Sequence, residues 1–184
     1  MPFDPSQVYQ PEADTYLLLD AALSEVRPGD RVLEIGTGSG LVAGRLAEDG
    51  HTVVATDINP HAARSARERG IEAVRTDLFS GIRGTFDLVL FNPPYLPTRP
   101  EDRIDDWLEY ALDGGPDGRV VIGRFAKGVG RVLAPGGRIL LLVSELTGAA
   151  QVQEIFSRHG FDGESVAETR AEGEMLYVLR FARA

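Results

Sequence analysis

Apolar positions along this chain alternate between two patterns. Short, nearly uninterrupted runs at 31–35 (Arg-Val-Leu-Glu-Ile) and 86–91 (Phe-Asp-Leu-Val-Leu-Phe) read as strands covered on both faces of a parallel sheet. Between such runs lie longer stretches with apolar residues at helical spacing, bounded by Gly, Pro, Asn or Asp. Taken in order, the pattern predicts an arm from Phe3 to Asp14, then a helix capped by Asp14 or Thr15 and running through Val26. A strand at 31–35, a helix to Gly50, a strand at 52–56, a helix from the Asn59-Pro60 cap to Gly70, and strands at 71–76 and 86–91 follow. An insertion at 96–118 comes next. Beyond it lie a helix at 119–133, with Val121, Phe125, Val129, Val132 and Leu133 turned inward, and a strand at 138–143. The chain ends in a helix at 147–159, with Val152, Ile155 and Phe156 inward, and strands at 161–170 and 174–181. The link 171–173 is too short for a crossover, so these two strands are antiparallel. The whole is an α/β pattern: a mostly parallel sheet with helices on both faces and an antiparallel last strand.

Right-handed crossovers bring the carboxyl ends of the parallel strands to one rim, where open α/β sheets bind ligands. Four consecutive strands end there in polar groups. The first delivers Glu34 and the loop Gly36-Thr37-Gly38-Ser39-Gly40, whose glycines let backbone N–H groups and a helix N-terminus approach a ligand. The second ends in Asp57, a carboxylate able to accept both hydroxyls of a ribose, and the third in Asp77-Leu78. The fourth stops at Asn92-Pro93-Pro94-Tyr95, where two prolines end ladder pairing.

That last loop carries the most specific chemistry. A planar amide or exocyclic amino nitrogen is a poor nucleophile, because its lone pair is delocalised. The Asn92 side-chain oxygen and the Pro93 carbonyl can both accept from one NH2 group, and Tyr95 can stack on the flat group. Such a loop would align the nitrogen with an incoming methyl group and stabilise the charge that develops on it. Read as a bare turn, Asn-Pro-Pro would need no ligand, and the glycine loop alone would equally suit a dinucleotide.

Composition narrows the setting. At 184 residues with 43% hydrophobic, the chain is expected to form one domain over 1–184, with an arm at 1–14 and a substrate-side insertion at 96–118. The absence of cysteine, together with the scatter of His51, His61 and His159, leaves no metal motif. Neither a membrane-length apolar run nor a basic, apolar leader is present, so a soluble, cytoplasmic protein is expected. The net charge is −9, and of the 19 basic residues only Lys127 is a lysine, against 28 acids. This balance argues against a nucleic-acid partner and reads as adaptation to a salty cytoplasm, where self-repulsion is screened; a GC-rich genome gives the same bias.

An ordered set of motifs spans nearly the whole chain: Val8-Tyr9-Gln-Pro11 with Asp14-Thr15-Tyr-Leu-Leu-Leu-Asp20, Leu33-Glu-Ile-Gly-Thr-Gly-Ser-Gly40, Thr56-Asp-Ile-Asn-Pro60, Thr76-Asp-Leu78, 86–95 with its Asn-Pro-Pro-Tyr end, and Asp113-Gly-Gly115 followed by Asp117-Gly-Arg119. By these motifs the chain resembles the class I S-adenosylmethionine-dependent methyltransferases, specifically the eukaryotic and archaeal branch of the HemK-like protein-glutamine methyltransferases. The resemblance implies a Rossmann-like seven-stranded sheet of order 3-2-1-4-5-7-6. It also implies methylation of the glutamine amide in the Gly-Gly-Gln loop of a class I translation termination (release) factor. By position, Glu34, Gly36 and Gly38 would meet the methionine side of S-adenosyl-L-methionine, Asp57 the ribose, Asp77 and Leu78 the adenine, and Thr15 would close the pocket. Thr37, Gly40, Ile58 and Asn92 fall in the same cofactor-binding set; Asn92, with Pro93 and Tyr95, would also hold the target amide. A small zinc-binding activator protein is implied as heterodimer partner, adding a strand at the edge 71–76. One departure is the order Pro11-Glu-Ala-Asp-Thr15, in which the acid sits one place away from the family's usual Pro-Ala-Glu-Asp-Thr. Adenine-N6 methylation of nucleic acid, lysine methylation of another protein and a non-catalytic or dinucleotide-binding fold stand as rival readings.

Overall fold

The computed structural model describes residues 2–99, 106–171 and 173–184. Seven strands make one sheet: β1 (Arg31–Ile35), β2 (Thr52–Asp57), β3 (Glu72–Arg75), β4 (Phe86–Phe91), β5 (Leu133–Ser144), β6 (Phe161–Ala171) and β7 (Glu174–Arg183). Their order is β3-β2-β1-β4-β5-β7-β6. Pairing from β3 through β5 is parallel, and β7 runs antiparallel to both β5 and β6. Five helices cover the faces: α1 (Ala13–Glu25), α2 (Leu41–Glu48), α3 (Pro60–Glu68), α4 (Val120–Val129) and α5 (Ala149–Ser157).

The continuous apolar runs have a direct structural meaning, because side chains alternate across a strand. Leu33, Ile35, Val89, Phe91, Ile139, Leu141 and Val143 face one way and pack with Ile122, Phe125 and Val129 of α4 and Val152 and Phe156 of α5. Val32, Leu88, Leu90, Leu140 and Leu142 face the other way, onto Leu18, Ala21 and Ala22 of α1, Leu46 of α2 and Ala66 of α3. The interiors of β1, β4 and β5 are therefore buried on both faces.

Several expected boundaries shift. Asp14 and Thr15 do not cap α1 from outside; the cap position is Glu12, whose side chain makes no capping bond, and Asp14 lies buried in the first turn. On α4 the buried stripe is Ile122, Phe125, Ala126 and Val129, with Val121 only half-buried. β5 begins at Leu133 rather than after Pro135-Gly-Gly137, because the ladder with β4 shifts register between Phe86 and Leu88 and then resumes. The helix expected from Thr147 starts at Ala149, and Thr147 is itself buried, its hydroxyl donating to Ser144 O at 2.7 Å. Asn59 caps α3 as expected, its side-chain oxygen accepting from the His61 N–H at 2.9 Å. Of the insertion expected at 96–118, residues 100–105 lie outside the described residues, as does residue 172 in the β6–β7 link.

Candidate active site

A cavity of about 860 Å³ opens at the carboxyl ends of β1, β2 and β4. Thr15, Glu34, Gly36, Thr37, Gly38, Asp57, Ile58, Asp77, Leu78, Asn92, Pro93 and Tyr95 all line it. Gly40 does not. It adopts φ +80°, and a Cβ there would meet Ala66 Cα at 3.1 Å, so its role is to let α2 lie close to α3.

The glycine loop is fastened from beneath by two buried carboxylates. Glu34 Oε2 accepts from Thr37 Oγ1 at 2.5 Å and from the Ala43 N–H at 3.1 Å. Asp57 Oδ2 accepts from the Gly38 N–H at 2.9 Å and Oδ1 from the Asn59 N–H at 2.8 Å. Burial disfavours the charged form of each, raising Glu34 to about 7 and Asp57 to about 6. The space above Gly36 is tight: a Cβ there would lie 3.3 Å from the Phe91 ring, and φ is +64°. Leu78 holds φ +50°, rare for a non-glycine residue, and packs against the core while lining the cavity. Asp77 Oδ2 pairs with Arg124 at 2.5 Å, with both side chains about half exposed.

Around Asn92 the structure adds residues that the sequence reading placed elsewhere. The Asn92 Nδ2 group donates to Asp14 Oδ2 at 2.9 Å. The Tyr9 hydroxyl donates to the same oxygen at 3.0 Å, while Asp14 Oδ1 accepts from the Thr15 N–H at 2.6 Å. Burial, and then the neighbouring Asp14 and Glu12 carboxylates, hold the Tyr9 hydroxyl well above its usual range, so it stays a donor. Asn92 Oδ1 is shielded from water and has no hydrogen-bond partner among the described residues. A buried acceptor left unpaired costs roughly 1–3 kcal/mol, which a donor arriving from a ligand recovers.

The Asn-Pro-Pro-Tyr loop rests on the segment 112–118. Leu96 N–H donates to Leu112 O at 3.0 Å and Gly114 N–H to Leu96 O at 2.9 Å. Gly118 sits so close beneath Tyr95 that a Cβ would lie 2.4 Å from the Tyr95 carbonyl oxygen. A turn read from its glycines alone is thus a support that only glycine can supply. Trp107 also lines the cavity, its backbone N–H donating to Gln7 Oε1 at 3.0 Å and its ring centroid 5.4 Å from the Arg75 guanidinium. The arm is pinned in turn by Asp4 N–H to His61 Nδ1 at 2.9 Å and Asn59 Nδ2 to Gln7 O at 2.6 Å.

This strand order and the polar rim on successive strands define a class I methyltransferase, an enzyme whose methyl donor is S-adenosylmethionine. The methyltransferase domain family matches residues 32–112. The cavity suits that donor: its volume is in the range of cofactor sites, glycines leave room at Gly36 and Gly38, and Asp57 faces it as a buried acceptor. The chain belongs to the HEMK2-like protein N5-glutamine methyltransferases. It is 39% identical over 180 residues to protein MJ0928 of Methanocaldococcus jannaschii, named as a protein N5-glutamine methyltransferase, across 94% of this chain and 90% of that one. It is 35% identical over 195 residues to the human methyltransferase HEMK2, across 97% and 91%. The E. cuniculi Mtq2-Trm112 complex, responsible for methylation of the eRF1 translation termination factor, superposes with a TM-score of 0.81 at 32% identity, covering 97% of this chain and 99% of that one.

Proposed function

We propose that this chain, acting as one unit over 1–184, methylates the side-chain amide nitrogen of the glutamine in the Gly-Gly-Gln loop of a class I translation termination factor. The observation that carries the reading is the unpaired, shielded Asn92 Oδ1 at the cavity wall, an acceptor waiting for an NH2 donor. In the complex, Asn92 Oδ1 and the Pro93 carbonyl accept from the two amide hydrogens, and Tyr95 stacks on the amide plane. Both acceptors gain strength as positive charge grows on the nitrogen, so they act chiefly on the transition state. S-adenosylmethionine, when bound, supplies the electrophilic methyl group. Asp57 would accept its ribose hydroxyls, Asp77 and Leu78 would flank the adenine, and the backbone at Gly36 and Gly38 would border the methionine side above Glu34, with Thr37 and Ile58 lining the same cavity. The methyl group would leave the donor's sulfur, which becomes a neutral thioether, as the N–C bond forms; one amide proton would then leave to water, and no side chain need act as base.

Charge speaks against a nucleic-acid substrate. Among the described residues that line the cavity, eight are acidic and Arg124 alone is basic, a poor surface for phosphates. A protein loop has no such requirement.

The partner in this reading is a small zinc-binding activator that pairs with the free edge of β3, in the region 71–76. That edge is short and not wholly bare, since Arg67 Nε donates to Ala73 O at 2.8 Å, a blunting contact that the sequence pattern does not reveal. The setting is a cytoplasm, and the scarcity of lysine beside 28 acids supports a salty one. The test is incubation of the purified protein with labelled S-adenosylmethionine, a termination factor and its glutamine-to-alanine loop variant, at low and high salt. Label in the intact factor alone is expected. Equal labelling of both factors would refute glutamine as the acceptor, and labelled DNA would promote the adenine reading.

A further inference from the structure

Asparagine has two ends that look alike in shape and differ in chemistry, and the proposed reaction needs the oxygen, not the NH2, turned to the substrate. What settles the choice is the group on the other side. Asp14 is 3% exposed and as a carboxylate can only accept. Its Oδ1 takes the Thr15 N–H at 2.6 Å and the Thr15 hydroxyl at 3.2 Å; its Oδ2 takes the Tyr9 hydroxyl at 3.0 Å and the Asn92 NH2 at 2.9 Å. The opposite end of the Asn92 amide, Oδ1, is the one left unpaired.

We propose that Asp14 is a positioning residue that fixes the polarity of the Asn92 amide, so that Oδ1 rather than NH2 is offered to the substrate amide. The proposal rests on the acceptor role given to Asn92 above. It goes beyond local capping, because the contact joins the first turn of α1 to the end of β4, 78 residues apart in sequence.

Replacing Asp14 by Asn makes the argument sharp. The Thr15 backbone N–H is fixed by the helix, so the introduced amide must keep its oxygen there and turn its NH2 toward Tyr9 and Asn92. Tyr9 can rotate its hydroxyl to accept. Asn92 can accept only by flipping, which turns its own NH2 toward the substrate NH2, donor against donor. A charge swap reverses this: in Asp14→Asn/Asn92→Asp the introduced amide donates to one carboxylate oxygen, and the other oxygen is an acceptor facing the substrate.

The test measures methyl transfer to the termination factor and S-adenosylmethionine affinity for the wild type, Asp14→Asn, Asn92→Ala, the double variant Asp14→Asn/Asn92→Ala and the swap. Asp14→Asn is expected to lower kcat by about 100-fold, as Asn92→Ala does, with cofactor affinity within about threefold. The double variant should be no slower than Asn92→Ala, and the swap should recover about tenfold or more over Asp14→Asn. A kcat for Asp14→Asn above about a third of wild type, multiplying losses in the double variant, or a swap no faster than Asp14→Asn would each overturn the proposal. Should Asn92→Ala turn over like the wild type, the acceptor role itself would fall and the proposal with it. A readout on the wild type needs no variant to fold and no substrate. The chain has two asparagines, Asn59 and Asn92, so selective ¹⁵N-asparagine labelling yields two side-chain NH2 signals. Exchange of the Asn92 NH2 with solvent should be slowed by roughly tenfold or more relative to a free amide. Exchange at the free rate would refute the Asp14 contact directly.

Discussion

Substituting Gly118 by Ala tests whether the loop proposed to hold the target amide is set by the backbone below it. Gly118 has φ +72°, so any L side chain there costs roughly 1–2 kcal/mol before contacts are counted. The added methyl would lie 2.4 Å from Tyr95 O and 2.7 Å from Thr147 Cγ2. To reach an ordinary separation, the Tyr95 backbone must rise by roughly 1 Å, at an overpacking cost of about 1–3 kcal/mol. The sum, about 2–5 kcal/mol, lowers the melting temperature by roughly 5–15 °C for a chain of this size. The effect on rate is the more informative one. A displacement of about 1 Å at an orienting group costs on the order of 100-fold, and Tyr95 lies three residues from Asn92. Gly136→Ala is the control: it shares a positive φ of +74° but has no atom within 4 Å of its would-be Cβ and lies outside the cavity. Calorimetry and initial rates at saturating cofactor should show Gly136→Ala losing only a few degrees with unchanged turnover, and Gly118→Ala losing both stability and about 100-fold in kcat. Equal turnover in the two variants would refute the claim that the 112–118 support sets the geometry of the site.

Three further outcomes are expected. Asp57 must be ionised to accept ribose hydroxyls and its pKa is raised to about 6, so cofactor affinity should weaken by up to about tenfold per pH unit below 6; a titration flat to pH 5 would remove Asp57 from that role. Glu34 is raised from 4.5 to about 7 by burial, so the folded state holds its proton more tightly than the unfolded chain; its stabilising contribution is full below about pH 4.5 and is lost as pH rises through 7. Glu34→Gln keeps an acceptor for Thr37 and Ala43, and should melt higher than wild type at pH 8, by up to roughly 3 kcal/mol of stability, and about equally at pH 5; a uniform loss at both would contradict this. Ala73→Pro removes an N–H and disturbs the β3 edge, so it should weaken the heterodimer with the activator at least tenfold in a pull-down titration, with cofactor binding nearly intact; unchanged dimer affinity would move the interface elsewhere.

The parts legible in sequence were those where one physical demand dominates. β1 and β4 are covered on both faces, so burial alone writes their apolar runs, and both boundaries were read correctly. The rim carboxylates and the Asn92 loop followed from where strands must end. What escaped was set by contacts distant in sequence. Asp14 carries a good local capping signal, and nothing nearby in the chain marks it as the partner of Asn92. Val120-Val121-Ile122 offers three adjacent β-branched residues, so the phase of α4 was blurred by one position. Pro135-Gly-Gly137 looks like a strand break, yet β5 absorbs it as an irregularity beside Phe86. The closeness of Gly118 to Tyr95 belongs to tertiary packing, which leaves only a glycine in the sequence and no reason for it.

The arm pinned across the cavity also bears on how the enzyme is made. During synthesis residues 4–15 leave the ribosome before the residues that hold them: Asp4 pairs with His61, and Gln7 with Asn59 and Trp107. Asp14 likewise waits for Asn92. The cofactor pocket therefore cannot close until the chain has been made past Asn92 and Trp107, and a nascent chain halted before Asn92 exposes the arm and an unfinished rim together. Emerging early and docking late, this segment ties competence for methyl transfer to completion of the sheet beneath it.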